Sequence, residues 1–193
     1  MSKDTITIRL HRPSVKELSF FFISGALVSV PLTLLIEQFA NPFLTGFSAF
    51  DVTILTVAIS APFVEEFAKA YPLFYRHGET ERSILLLGFL TGLGFGVIEF
   101  FLYIFVYQQP VLTRLPIVLF HATNTSVTAY GIAAKKPIQY YLLAIALHSL
   151  INYSAMNFSG QFDVFLITYL LALVGSYVFA WNLYEKTEER IVE

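Results

Sequence analysis

The sequence predicts an all-α polytopic membrane protein, a bundle of about six transmembrane helices forming one integral membrane domain over residues 1–193. Three observations predict it. Hydrophobic residues make up 56% of the chain and charged residues only 13%, well below the charged share of a soluble domain. Mean hydropathy is +0.66, so there is too little polar surface to coat a water-soluble globule. Runs of roughly 20 apolar residues, the length that crosses a ~30 Å hydrocarbon core, can be drawn six times.

The runs cover about 18–39, 50–75, 83–108, 114–134, 137–157 and 163–184. The first follows a basic N-terminal segment, as in a signal peptide. It is too long for a signal h-region and has no small-x-small cleavage site after it, so it reads as a retained helix. Asn41-Pro42 and Gly46 separate it from the second run, which carries Pro62 and a cluster of charges. Residues 76–82 are the clearest hydrophilic loop. The third run contains Gly88, Gly92 and Gly96 at a spacing of four, plus Gly94, which lets helix backbones approach closely. Gln108-Gln109-Pro110, Lys135-Lys136-Pro137 and Ser159-Gly160-Gln161 end the third, fourth and fifth runs. Trp181 and Tyr184 fit an interfacial belt at the end of the sixth.

Basic residues orient the bundle. With the N-terminus in the cytoplasm, Lys3, Arg9, Arg12, Lys16, Arg76, Arg82, Lys135, Lys136, Lys186 and Arg190 all fall inside. Arg114 alone falls outside, where it reads as an interfacial anchor, and Lys69 lies within a span. That is a strong positive-inside bias, and an even number of spans puts both termini in the cytoplasm, most simply at the cell membrane. Glu37 and Asp51 lie near span ends and read as interfacial; His11 and His77 fall outside the bilayer. A net charge of −2 argues against a nucleic-acid partner, and the absence of cysteine removes disulfides and thiolate metal sites. No soluble domain fits between the spans, so any function resides in the membrane.

The functional signal is a set of ionisable side chains inside the spans. Ala61-Pro62-Phe63-Val64-Glu65-Glu66-Phe67-Ala68-Lys69 places three charges within five residues of an apolar run. Charges in hydrocarbon cost several kcal/mol unless paired or facing a polar cavity. Glu99, His121 and His148 lie on three further helices. At a rise of 1.5 Å per residue, Glu99 and His148 sit roughly 14 Å, and His121 roughly 10 Å, below the outer end of their spans. Glu65 and Glu66 are four and three residues before Lys69, so either can reach its ammonium, leaving the other carboxylate for chemistry. Two neighbouring carboxylates do not both ionise readily in a dry site, which suits one of them to general acid/base work. Asn152 lies one turn after His148 on the same face. Its amide could orient the imidazole or donate to a developing oxyanion.

These motifs resemble the PrsW family of intramembrane proteases, within the superfamily that includes the CAAX prenyl endopeptidases. The resemblance covers the second through fifth spans. The family's Glu-Glu-x-x-Lys appears as Glu65 to Lys69, and its Gly-Phe-x-x-x-Glu-Asn as Gly94 to Glu99, with Phe100 in place of the Asn. Its Arg and following His, with a downstream Gly, appear as Arg114, His121 and Gly131. Its His-x-x-x-Asp/Asn appears as His148 to Asn152. The resemblance implies hydrolysis of a peptide bond in a membrane protein or peptide, within or beside the lipid bilayer; in characterised relatives the substrate is a single-span regulatory protein. Two mechanisms are open. Glu99, His121 and His148 could hold Zn²⁺ with a water in the fourth position and Glu65 or Glu66 as base. Alternatively, Glu65 or Glu66 and a histidine activate water without a metal, and His148 and Asn152 stabilise the oxyanion. No His-Glu-x-x-His is present. A proton- or ion-coupled transporter uses the same residue types, but the chain has no evident internal repeat. A non-catalytic membrane scaffold is the third reading.

Overall fold

A computed structural model describes residues 11–40, 46–75, 80–157, 162–189 and 192. The segments 41–45, 76–79 and 158–161 lie outside the described residues, as do Lys3, Arg9, Arg76, His77, Arg190 and the side chain of Glu37. All regular structure among the described residues is helical. Six helices are seen among the described residues: α1 (15–40), α2 (49–75), α3 (Glu81–Phe105), α4 (Val111–Ala133), α5 (Pro137–Asn157) and α6 (Phe162–Lys186). Three helices are long and apolar enough to cross a membrane by length and composition: Val15–Ile36, Glu81–Phe105 and Leu166–Lys186. The other three differ for visible reasons. α2 carries Asp51, Glu65, Glu66 and Lys69, whereas α4 and α5 turn polar residues inward, which lowers their apolar content.

Local chemistry starts and bends these helices. Ser14 opens α1 in a capping box with Glu17. Thr80 caps α3 by accepting from the Ser83 N–H. Both α1 and α2 contain a π-helical stretch, Gly25–Ser29 in α1 and Ile54–Ser60 in α2. The second lies against Pro62. In the π register the Ala61 N–H reaches Thr56 O. The next bond would run from residue 62 to Val57 O, and proline has no N–H to make it. The Asn152 side chain supplies the donor instead, with Nδ2 2.9 Å from Val57 O. An unsatisfied carbonyl in a membrane interior is costly, so this single amide makes the break in α2 tolerable.

The third helix is the centre of the bundle and packs most extensively against α4. Its Gly88, Gly92 and Gly96 face α4. A Cβ on Gly92 would run into the His121 carbonyl and the Thr125 hydroxyl, and one on Gly96 into the Val118 backbone. On the opposite face, Gly94 lies against the Phe22 carbonyl of α1, while Gly25 of α1 lies against the Thr91 carbonyl. Side-chain hydrogen bonds join the remaining helices. Ser29 Oγ donates to Ala68 O at 2.8 Å, Asn124 Nδ2 to Ala144 O at 2.9 Å, and Tyr141 OH to Phe63 O at 2.7 Å. One apolar cluster, with Phe21, Leu73, Ile84, Leu87 and Ile132, fills the end of the bundle where α2 finishes and α3 begins.

Gly92→Leu should therefore force α3 away from α4, costing about 1–3 kcal/mol or more by overpacking. Gly175→Ala, where an added Cβ meets nothing within 4 Å, should be neutral or stabilising by up to ~1 kcal/mol. Thermal unfolding of the two variants in detergent checks the contrast; equal melting temperatures would refute the close-packing account.

Candidate active site

The segment Ala61–Ala70 of α2 is the platform on which the site is built. Its register turns Glu65, Glu66 and Lys69 into the bundle and leaves Phe63 and Phe67 on the outside. Glu66 and Lys69 are fully enclosed, each 0% exposed. Lys69 Nζ lies 2.6 Å from Glu66 Oε1 and 3.9 Å from Glu65 Oε2. The ammonium also stands 4.7 Å from the centroid of the Phe95 ring. The close partner of Lys69 is thus the carboxylate three residues back.

The two histidines arrive from α4 and α5 with their rings 5.1 Å apart, edge to face, and Phe120 packs against both. Each is oriented by a carboxylate. His148 Nδ1 lies 2.9 Å from Glu66 Oε1, and His121 Nε2 lies 2.6 Å from Glu99 Oε2. Glu66 Oε1 already accepts from Lys69, so His148 Nδ1 must donate to it, which leaves His148 Nε2 facing Glu65 Oε2 at 3.7 Å. On His121, Nδ1 is 3.0 Å from the Lys69 ammonium, which can only donate. The proton of neutral His121 therefore sits on Nε2, towards Glu99.

Arg114, read from the sequence as an interfacial anchor, also has partners at the site. Its guanidinium lies over the Tyr103 ring, 3.2 Å from the centroid, and 3.9 Å from Glu99 Oε1. The aromatic ring and the carboxylate hold it at the rim of the site. Three carboxylates thus face two fixed cations. Glu66 takes Lys69 at 2.6 Å and Glu99 takes Arg114 at 3.9 Å, while Glu65 lies 3.9 Å from Lys69 and 3.7 Å from His148 Nε2.

A cavity of about 270 Å³ opens beside this cluster. Its walls come from α1, α2, α3 and α5, with Val30, Val57, Phe95 and Tyr103 among them. Glu65, Glu99 and Asn152 also line it, whereas Glu66, Lys69, His121 and His148 stand behind. The structure therefore brings Glu65, Glu66, Glu99, His121, His148 and Lys69 into one contiguous network. It places Asn152 on the cavity wall, with its amide engaged by Val57 O and not by His148. The sequence reading missed this use of Asn152; Pro62 next to a run that cannot close its own hydrogen bonds was the available signal.

The ligand set for a metal differs from the sequence expectation in one member. One ligand atom each from Glu65, His121 and His148 lies within 4.8 Å of the others. Glu65 takes the position expected for Glu99, because Glu99 is turned to the far nitrogen of His121. Two imidazoles and a carboxylate are a catalytic zinc donor set. Each histidine also gives its other nitrogen to a carboxylate, Glu99 or Glu66, the outer-shell arrangement that orients metal-bound imidazoles. By donor chemistry, the residues present fit a metal ion.

The fold and site define an all-α protein with apolar, membrane-length helices and a carboxylate–imidazole network beside an internal cavity. Residues 13–181 match the PrsW family intramembrane metalloprotease profile, and the chain is a member of that family. It is an intramembrane protease. No curated protein and no solved structure matches it significantly.

The ion pair gives a stability prediction. Glu66→Gln strands the Lys69 ammonium in the dry core and should cost about 3–5 kcal/mol. Glu66→Gln combined with Lys69→Met removes both charges and should recover most of that loss. Denaturation of the single and double variants in detergent tests this, and a single variant as stable as the double would contradict it.

Proposed function

We propose that this protease hydrolyses a peptide bond in a membrane-associated protein, such as a single-span regulatory protein, with Glu65 as the working carboxylate. The observation that carries this reading is the division of labour between the adjacent glutamates. Glu66 is sealed in the core with Lys69 and His148, while Glu65, 9% exposed, borders the cavity. Glu65 takes a proton from water as the water oxygen bonds to the scissile carbonyl carbon. The same proton passes to the leaving amine as the C–N bond breaks. His148 stands beside Glu65 in a fixed tautomer, held by Glu66. Asn152 gives one amide hydrogen to Val57 and retains a second donor on the cavity wall for the oxyanion.

Zn²⁺ held by Glu65, His121 and His148 would supply a Lewis acid and an acidified water at the same place. Glu99 and Glu66 then serve as the partners that hold the two imidazoles in register. The 4.8 Å grouping of the three ligand atoms favours this second form of the mechanism. Either way the cavity is the substrate's place. The apolar cluster at the other end of the bundle supports a pocket open to one side, as a hydrolase needs, over the two-sided access of a transporter.

The orientation we propose places both termini in the cytoplasm of a cell-membrane protein with six spans. Arg12, Lys16, Arg82, Lys135, Lys136 and Lys186 lie at the ends of α1, α3, α4, α5 and α6 that share one side. Arg114 lies at the other, so the cavity opens towards the outer half of the membrane.

Two measurements test these readings. Glu65→Gln should lower cleavage of a single-span reporter co-reconstituted in liposomes by about 10²–10⁴-fold with little change in melting temperature. Full activity in that variant would remove Glu65 from the chemistry. Because the chain has no cysteine, single cysteines at 108 and 135 report topology directly. An impermeant thiol reagent applied to intact cells should label residue 108 and not 135; the reverse pattern would invert the orientation.

A further inference from the structure

We propose that Lys69 is a built-in cation that competes with a metal ion for the Glu65–His121–His148 site, so that metal loading requires its ammonium to withdraw from His121. The inference rests on the ligand set described above. It does not depend on whether the metal takes part in peptide hydrolysis.

His121 has two ring nitrogens, and both are engaged. Nε2 gives its proton to Glu99 at 2.6 Å. Nδ1 offers its single lone pair to Lys69 Nζ at 3.0 Å. That lone pair is the one a metal would need, because turning the imidazole to present Nε2 would break the short bond to Glu99. The ammonium is also 3.9 Å from Glu65 Oε2, a second member of the ligand set. A divalent ion and an ammonium at such separations repel strongly in a low-dielectric interior. The ligand triangle can therefore be satisfied by the ammonium or by a metal, but not by both in this geometry.

The side chain has somewhere to go. Its 2.6 Å bond to Glu66 and its contact with the Phe95 ring are independent of His121. A flexible four-carbon stem can keep both while releasing Nδ1. Lys69 thereby ties Glu66 to His121 in the metal-free protein, which supports a buried, doubly acidic segment before any metal arrives. The cost falls on metal affinity, since each entering ion must break a hydrogen bond to a charged donor and approach a like charge.

The test is metal binding by the full chain in detergent, stripped with a chelator and titrated with Zn²⁺ against a competing indicator. Lys69→Met is the direct variant. The double variant Glu66→Gln with Lys69→Met guards against misfolding, because it removes both charges and a Gln carbonyl can still accept from His148 Nδ1. Wild type should bind one Zn²⁺ at least about 100-fold more weakly than either folded variant, the scale set by losing a charge-assisted hydrogen bond. Adding Glu65→Gln or His148→Ala to the double variant should abolish the gain. Equal affinity in wild type and variants would overturn the competition while leaving the ligand set intact. No binding by any of them, or a gain that survives His148→Ala, would overturn it by showing that these three residues are not the ligands. None of these outcomes uses proteolysis, so failure of the protease mechanism reads out separately through Glu65→Gln.

Discussion

The pairing of Lys69 with Glu66 is the interaction on which the rest of this site depends. Both groups are enclosed, and neither could remain charged there alone. Once paired, they define the protonation of everything around them. The Glu66 oxygen that accepts from Lys69 forces His148 to donate from Nδ1, and the ammonium forces His121 to accept at Nδ1. Two tautomers are thus set by one ion pair. Glu65, one residue earlier, is turned by the helix to the cavity side, within 3.9 Å of the same ammonium.

Backbone geometry delivers these groups to one another. The glycine face of α3 allows α4 to approach until the His121 carbonyl lies where a side chain on Gly92 would otherwise be. That closeness brings Glu99 on α3 within 2.6 Å of His121 on α4. The second helix uses the opposite device. Pro62 and the π-helical turn before it interrupt the regular ladder just ahead of Glu65, and Asn152 of α5 satisfies the exposed carbonyl. The same amide that repairs α2 borders the cavity, so the defect and the site share a residue. Membrane interiors tolerate irregular backbone where it lines a cavity, and that is where this one lies.

The site also shows how carboxylates divide into roles by surroundings alone. Glu66 is enclosed against Lys69 and His148, Glu99 links His121 to Arg114 at the rim, and Glu65 borders the cavity. Arg114, held over Tyr103, extends the network to the cavity mouth. Proteolysis in a membrane requires water to be admitted and controlled in a place that excludes it.

The sequence by itself determined the class of fold and the membership of the family. Apolar run length and spacing report directly on helices, and Glu65-Glu66-x-x-Lys69, Glu99, His121 and His148 are local signatures that survive without coordinates. The glycine spacing in α3 pointed to a tight helix contact for the same reason, since period alone places those residues on one face. Other features depended on distances between segments far apart in the chain. Only the tertiary structure decided which glutamate meets Lys69, because positions 65 and 66 both fall within helical reach of it. It also exchanged Glu99 for Glu65 in the potential ligand set, a matter of which side of the His121 ring each carboxylate occupies. It gave Arg114 the partners Tyr103 and Glu99, and it gave Asn152 a carbonyl on α2 to cap. Side-chain direction across helix interfaces is set by packing and twist, and one-dimensional spacing carries no record of it.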